Sequence, residues 1–311
     1  MKERAENTQD YDRLLQAVVS SDRRALARGI SLIENEVPGY EFLLESLPKS
    51  KPCVTIGVTG PPGVGKSTLV DALVHELTGQ DMRAAVLCVD PSSPFHQGAI
   101  LGDRIRMSSW HNHPSVFIRS LATRGSLGGL SPKIIEITDL VRAAGFDYVI
   151  VETVGVGQVE VEISALADTT VVVLVPESGD EIQTMKAGLM EIADIFVVNK
   201  ADRPDADRLA KNLQQLVSTA TGTGREPIAV IKTVATGRTG VADLLASILA
   251  RSSSPWMDER RIRLLAEKAF QLIAQKRTRD IHREALLQII RPLLLDGSFN
   301  LYRFVSAYSG S

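Results

Sequence analysis

The sequence predicts an α/β fold, a doubly wound and mainly parallel sheet with a helical cap before it and a helical arm after it. Three observations carry that expectation. Between 53 and about 250, short Val- and Ile-rich runs alternate with longer stretches of helical periodicity. Several runs, such as Thr170-Val-Val-Val-Leu-Val175, are apolar at nearly every position, which suits parallel strands covered on both faces. Residues 55–69, finally, place a glycine-rich turn between an apolar strand-like run and an apolar-periodic helix.

Residues 1–50 read as an N-terminal helical extension. Leu14, Leu15, Val18 and Val19 form one apolar stripe, and Ala25, Ile30, Leu32 and Ile33 a second. Pro38-Gly39 breaks the pattern before Phe42, Leu43, Leu44 and Leu47 resume it. Pro48-Lys-Ser-Lys-Pro52 is a short linker into the domain at 51–250. Strands are expected at 53–59, 84–90, 115–120, 147–152, 169–175, 195–199 and 228–233. One helix between them is expected to take Ser131 as N-cap and Pro132 as its first residue. It would run through Ile134, Ile135, Ile137 and Leu140 and close at Gly145.

Residues 251–311 change character. After Ser252-Ser-Ser-Pro255, the positions Ile262, Leu265, Ala269 and Leu272 repeat at helical spacing, with Arg260, Arg261, Arg263, Lys268, Lys276 and Arg277 mostly on other faces. A second helix, about 281–291, is expected to end near Pro292. Two amphipathic helices with so little chain around them need a surface to cover them. Docking on the same subunit and a dimerisation arm both meet that need, and the arm is the expectation carried forward. The basic residues read as solvated flanks, with a membrane-surface role the lesser alternative.

Composition narrows the class. The 311 residues are 44% hydrophobic, with a formal charge of −2 and a pI near 6.2, so no global basic field awaits nucleic acid. Cys53 and Cys88 fit no zinc or disulfide spacing and read as small core residues of a reducing compartment. The first residues are charged and polar, and no run reaches the ~18 apolar residues of a membrane span. A cytoplasmic location follows as the expectation.

Gly60-x4-Gly65-Lys66-Ser67 is the phosphate-loop pattern. Glycines let the backbone curl so that N–H groups converge on a polyphosphate, and the following helix adds its positive end. Gly60, Pro61, Pro62, Gly63, Val64, Gly65, Lys66, Ser67 and Thr68 are therefore the candidate phosphate cradle. Lys66 would reach the β- and γ-phosphates, and the Ser67 hydroxyl would ligate Mg²⁺.

Three further motifs stand at predicted strand ends. Glu152-Thr-Val-Gly155 occupies the place of the second metal-side acid. Its Glu is one methylene longer than the usual Asp, so Glu152 is expected to reach the metal through a water. Gly155 can offer its N–H to the γ-phosphate and couple the next loop to nucleotide state. Asn199-Lys200-Ala201-Asp202 can read guanine, because a carboxylate in the base plane accepts from both the ring N–H and the exocyclic amine, a donor pair that adenine lacks. Asn199 would brace the loops, and the Lys200 stem would lie along the ring. Asp90 closes the second strand beside the phosphates, where it could orient the attacking water or hold the metal's water shell, and Asp103 is a candidate for the same shell. A helix cap or turn role is the plainer alternative for each. The ligand is GTP or GDP.

With these residues in hand the chain resembles the MeaB/ArgK family of P-loop GTPases. The likeness rests on Gly60–Thr68, Asp90-Pro-Ser-Ser-Pro-Phe95, Gly98-Ala-Ile-Leu-Gly-Asp-Arg-Ile-Arg-Met107, Arg119-Ser-Leu-Ala-Thr-Arg-Gly125, Glu152-Thr-Val-Gly-Val-Gly-Gln158 and Asn199-Lys-Ala-Asp202. The resemblance implies a GTPase that chaperones an adenosylcobalamin-dependent acyl-CoA mutase, with an adenosyltransferase as a further partner; the homodimer is expected instead from the amphipathic arm at 251–311. It implies that Gly179-Asp-Glu-Ile-Gln-Thr-Met-Lys186 is a third switch, with Gln183 and Lys186 as coupling residues. The family's late guanine-contacting Thr-Ser-Ala stands here as Thr233-Val-Ala235, which matters little if the contact is the Ala235 backbone N–H. His96-Gln97-Gly98 replaces the common Thr-Gly-Gly of the first switch and leaves the identity of the mutase open.

Val156 rather than Gln follows Gly155, and Gln158 lies three residues beyond that glycine, so slow, partner-stimulated hydrolysis is expected. Two alternatives share the motifs: a metal-insertion GTPase, and a GTPase or kinase linked to an amino-acid transport binding protein. The first would concentrate Cys and His, whereas only His111-Asn-His113 is close-spaced here and reads as a polar turn.

Overall fold

A computed structural model describes residues 2–49, 51–90, 107–123, 130–153, 159–178, 192–220, 228–251 and 256–308. By its contacts the chain divides into two compact units, Met1–Arg260 and Arg261–Ser311.

The first unit opens with α1 (Lys2–Val19), α2 (Arg23–Glu34) and α3 (Tyr40–Glu45). A sheet follows, built from β1 (Val54–Thr59), β2 (Ala84–Asp90), β3 (Val116–Ala122), β4 (Tyr148–Glu152), β5 (Thr169–Leu174), β6 (Ile195–Val198) and β7 (Ala229–Lys232). The helices among these strands are α4 (Lys66–Gly79), α5 (Ile134–Ala143), α6 (Val159–Leu166), α7 (Ala206–Ala220) and α8 (Val241–Arg251). All six strand pairings are parallel, in the order β3-β2-β4-β1-β5-β6-β7. The chain lays β2 and β3 to one side, returns to set β4 beside β1, then continues on the other side.

Both faces of this sheet are covered, which is why the strands read as unbroken apolar runs. Val171 and Val173 of β5 pack with Leu69 and Leu73 of α4 and with Leu244 and Ile248 of α8. Their alternates Val172 and Leu174 pack with Leu209 and Leu213 of α7. The period of two along one strand thus divides it between two cores. Gly57 lets α6 approach β1: a Cβ there would meet Ile163 Cγ1 at 2.7 Å.

The N-terminal helices are tied to the sheet layer by specific polar contacts, and α2 is also capped locally. Asp22 caps α2 by accepting from the Arg24 and Ala25 amides at 2.7 and 2.9 Å. Arg119 of β3 donates to Ser31 Oγ at 2.9 Å and to Glu34 Oε2 at 3.0 Å. Lys133 Nζ donates to the Tyr40 hydroxyl at 2.9 Å. Burial disfavours that ammonium, but the Tyr40 hydroxyl, Glu136 and Glu36 more than offset the cost, and its pKa lies above the ordinary lysine value.

Two expectations need correction here. The helix after Ser131 starts at Ile134 with Lys133 as N-cap. The Ile134 amide donates to Ser131 O at 3.0 Å, so 131–134 is a turn that feeds the helix. Gly145 follows its end with φ +77°, in the left-handed conformation that favours glycine.

The second correction concerns the C-terminal unit. It carries most of α9 (Trp256–Arg277), then α10 (Arg283–Leu295) and α11 (Leu301–Ala307). Pro292 lies inside α10, which runs on to Leu295 although the ring removes the bond to the Gln288 carbonyl and crowds it. The third helix, unforeseen, is capped by Asn300 Oδ1 accepting from the Arg303 amide at 3.0 Å. Large apolar side chains stay uncovered along all three, including Phe270 at 68%, Leu295 at 84% and Tyr302 at 82% exposure. No helix among the described residues is long and apolar enough to cross a membrane.

Candidate nucleotide site

The motif residues gather at the carboxyl ends of the central strands, where ligands of open α/β sheets bind. β1 ends at Thr59, and the loop from Gly60 to Gly65 leads directly into α4. Gly60 has φ +140°, and a Cβ there would sit 2.2 Å from the Val173 carbonyl oxygen of β5. Gly65 has φ +92°, and a Cβ there would lie 2.6 Å from Asn199 Nδ2. Both positions therefore demand glycine twice over, by backbone conformation and by close approach. Gly65 is also the N-cap of α4 and gives no side-chain cap, so the positive end of that helix is left for an anion.

Inside the loop, the buried Lys66 ammonium donates to the carbonyls of Gly60 at 2.8 Å and Pro61 at 3.0 Å. Next to it, Ser67 Oγ donates to Glu152 Oε1 at 2.7 Å. Glu152 is the last residue of β4, directly beside β1 in the sheet, and is 4% exposed. Asp90 is the last residue of β2, on the other side of β4, and is also buried. Thr153 Oγ1 donates to Thr59 Oγ1 at 2.9 Å and joins the ends of β1 and β4; sequence reasoning had not singled out this pair.

On the opposite side, Asn199 directly follows β6 and holds three elements together. Its Nδ2 donates to Val64 O at 2.9 Å, while its Oδ1 accepts from Thr233 Oγ1 at 3.1 Å and from the Ala235 amide at 3.2 Å. Lys200, with φ +55°, donates from Nζ to Gly63 O at 2.8 Å. The Arg203 amide closes a turn on Lys200 O at 3.0 Å, which leaves Asp202 exposed at its apex. Arg203 pairs with Glu177 just after β5, and that hydrogen bond holds the Glu177 carboxyl below its ordinary pKa. The short-range sequence carried no signal for this pair. His111 and His113 form a turn whose carbonyls accept from the Arg23 guanidinium, both at 3.0 Å. No cluster of three Cys, His, Asp or Glu suited to a metal occurs among the described residues. Asp103, Gly155, Gln158, Gln183, Lys186 and the His96-Gln97 departure lie outside the described residues.

The arrangement can do two things chemically. It presents an anion site of backbone N–H groups, a lysine and a helix terminus, and beside it an all-oxygen set suited to a hard cation. It also presents an exposed carboxylate on a loop fastened to that anion site by Asn199 and Lys200.

The family model described as "Methylmalonyl Co-A mutase-associated GTPase MeaB" matches residues 26–282. The chain belongs to the MeaB family. A Pyrococcus abyssi protein named as a GTPase is 48% identical over 237 residues, spanning 75% of this chain and 73% of that protein. The mitochondrial methylmalonic aciduria type A homolog of Caenorhabditis elegans is 39% identical over 209 residues, covering 62% of this chain but 52% of the relative. A crystal structure titled as the LAO/AO transport system kinase superposes with a TM-score of 0.68, covers 95% of each chain and is 23% identical, a likeness of fold. As a MeaB-family P-loop GTPase, the chain has a fold built for GTP and GDP.

Proposed function

We propose that this chain is a GTP-hydrolysing chaperone of an adenosylcobalamin-dependent acyl-CoA mutase, such as methylmalonyl-CoA mutase or a relative. In this reading it uses GTP to gate cofactor loading and to protect or reactivate the mutase, in the cytoplasm and with an adenosyltransferase as a further partner. The observation that carries the proposal is the family match over residues 26–282, which contains the phosphate loop, Glu152 and the Asn199–Asp202 turn in one site.

The roles follow from the positions. Gly60 to Thr68 cradle the phosphates, with the Lys66 charge on the β/γ pair, and Gly155 responds to the γ-phosphate. Asp202 selects guanine, and Asn199, Lys200 and Ala235 hold its loop against the cradle. The donors Ser67 and Glu152, 2.7 Å apart, together with buried Asp90, are oxygen ligands that fit Mg²⁺. Asp103 is assigned to the same shell. Bound there, Mg²⁺ would supply neutralisation of charge developing on the phosphate oxygens. Ser67 and Glu152 set the side on which the phosphates lie, and Asp90 orients the water.

Glu152→Gln is expected to weaken the Mg²⁺ dependence of GTP hydrolysis and to leave GDP affinity in Mg²⁺-free buffer near the parent value. Hydrolysis indistinguishable from the parent at every Mg²⁺ concentration would remove Glu152 from the metal side.

The chaperone assignment makes its own demand. A partner can be driven only if the two nucleotide states differ in their affinity for it, and the mutase must then shift nucleotide affinity in return. Addition of a cobalamin-dependent mutase should accelerate GTP hydrolysis. Gln183→Ala and Lys186→Ala should blunt that acceleration while leaving the basal rate nearly unchanged, with Gln158 part of the same coupling. If no acyl-CoA mutase alters the parent's rate or nucleotide affinity, the chaperone assignment falls.

The uncovered apolar side chains of α9, α10 and α11 are assigned to a homodimer interface at residues 251–311. Light scattering of the full chain at micromolar concentration should report twice the 33.8 kDa chain mass. A monomer at that concentration would end the dimer proposal.

A further inference from the structure

A groove of about 430 Å³ lies between α1 and α2, and none of its lining residues belongs to a motif discussed above. Its rim carries three guanidinium groups, from Arg13 on α1 and from Arg24 and Arg28 on α2. Its floor is apolar, made by Leu14, Ala17 and Ala25, all partly exposed.

The arginines nearby are otherwise engaged. Arg23 clamps the carbonyls of His111 and His113, Arg83 donates to Ser21 Oγ and Gly145 O, and Arg119 holds Ser31 and Glu34. Arg24 and Arg28 differ. Among the described residues no carboxylate lies within 4.0 Å of either guanidinium, and Arg13 reaches only Asp10, at 3.9 Å. Arg24 and Arg28 are four apart on one exposed helix face, a like-charge spacing that disfavours the helix unless an anion relieves it.

We propose that this groove docks an acidic, amphipathic segment of a partner protein. Carboxylates would take the three planar guanidinium forks, and an apolar side chain between them would cover the floor. The groove's own acids favour this occupant over a phosphorylated one. Asp10 and Asp22 also line it, and Asp22 caps α2 by accepting from the Arg24 and Ala25 amides. The net charge of the lining is therefore +1, from three arginines and two aspartates. That suits spaced single charges better than a compact multiple charge. An apolar centre rimmed by arginine is also the composition of protein interfaces. The proposal holds whether or not the partner is the mutase.

The test uses the full-length protein and a fluorescently labelled, helix-forming peptide of Glu and Leu, read by anisotropy. The parent should bind with one-to-one saturation that weakens as salt rises. The R24E/R28E double variant should bind at least tenfold more weakly, yet bind the matching Lys and Leu peptide at least tenfold better than the parent does. Basal GTP hydrolysis of the variant should match the parent, which separates lost docking from lost folding. Absence of saturable binding, or equal binding of the acidic peptide by both proteins, would overturn the proposal. So would inorganic pyrophosphate binding to the parent that the double variant loses, since that would assign the groove to a phosphorylated ligand.

Discussion

Lys66→Ala should abolish tight GTP binding and, with it, turnover. The ammonium is buried and fixed on two loop carbonyls, so it stands beside the phosphate cradle without any search through rotamers. Removing a buried charge-assisted partner of phosphate costs about 3 kcal/mol, on the order of a hundredfold in affinity. Calorimetric titration with GTP and with GDP checks this. The loss should be larger for GTP if, as proposed, the lysine also serves its γ-phosphate. Arginine should not rescue the site, because its larger planar fork has no room where the parent side chain is already 7% exposed. A Lys66→Ala protein that binds GTP as the parent does would place the phosphates elsewhere.

Asp202→Asn should convert a guanine site into a xanthine site. Asp202 sits exposed at the apex of the Lys200–Arg203 turn and makes no packing contribution that its loss would forfeit. The variant should therefore melt within a degree or two of the parent, while GTP affinity falls by an amount on the order of 3 kcal/mol. Xanthosine triphosphate should bind in its place, because its added carbonyl meets the new amide donor. Asn199→Ala is the informative companion. That side chain holds Val64 of the phosphate loop as well as Thr233 and Ala235, so it should weaken every nucleotide without changing base preference. Equal ATP and GTP affinity in the parent would sink the assignment.

The fold was legible because burial on both faces of a parallel sheet leaves its mark on every residue of a strand. Runs such as Val171 to Leu174 admit few other readings, and all seven strands fall within two residues of their expected ends. Legibility failed where local chemistry was ambiguous. Ser131-Pro132 looks like a helix start, and only the Ile134 amide bonded to Ser131 O reveals a turn. Pro292 looks like a stop, yet the helix runs through it to Leu295, and no short window shows what offsets the cost. The short helix from Leu301 had a usable signal in Asn300, a cap followed by apolar positions at 301, 304 and 305. At the site, motifs named the residues but could not show that Lys200 fastens to Gly63 or that Arg203 meets Glu177. Such pairs depend on loops brought together by the whole sheet, which no short window contains.

Gly60 has a consequence for how the molecule opens and closes. Its loop is moulded against the Val173 carbonyl of β5, while Glu152 reaches Ser67 from β4 on the opposite flank of β1. Neither flank can be absent when the phosphate cradle forms, and β5 enters the sheet only after the chain has crossed β1. A cradle that needs β1, β4 and β5 together cannot persist in a partly melted molecule. Amide hydrogens of β1 should accordingly be among the slowest to exchange, opening only with global unfolding. GTP or GDP should slow that exchange by the full mass-action factor of its binding, because only the intact sheet can hold it. Nucleotide in this protein would act as a latch on the centre of the sheet.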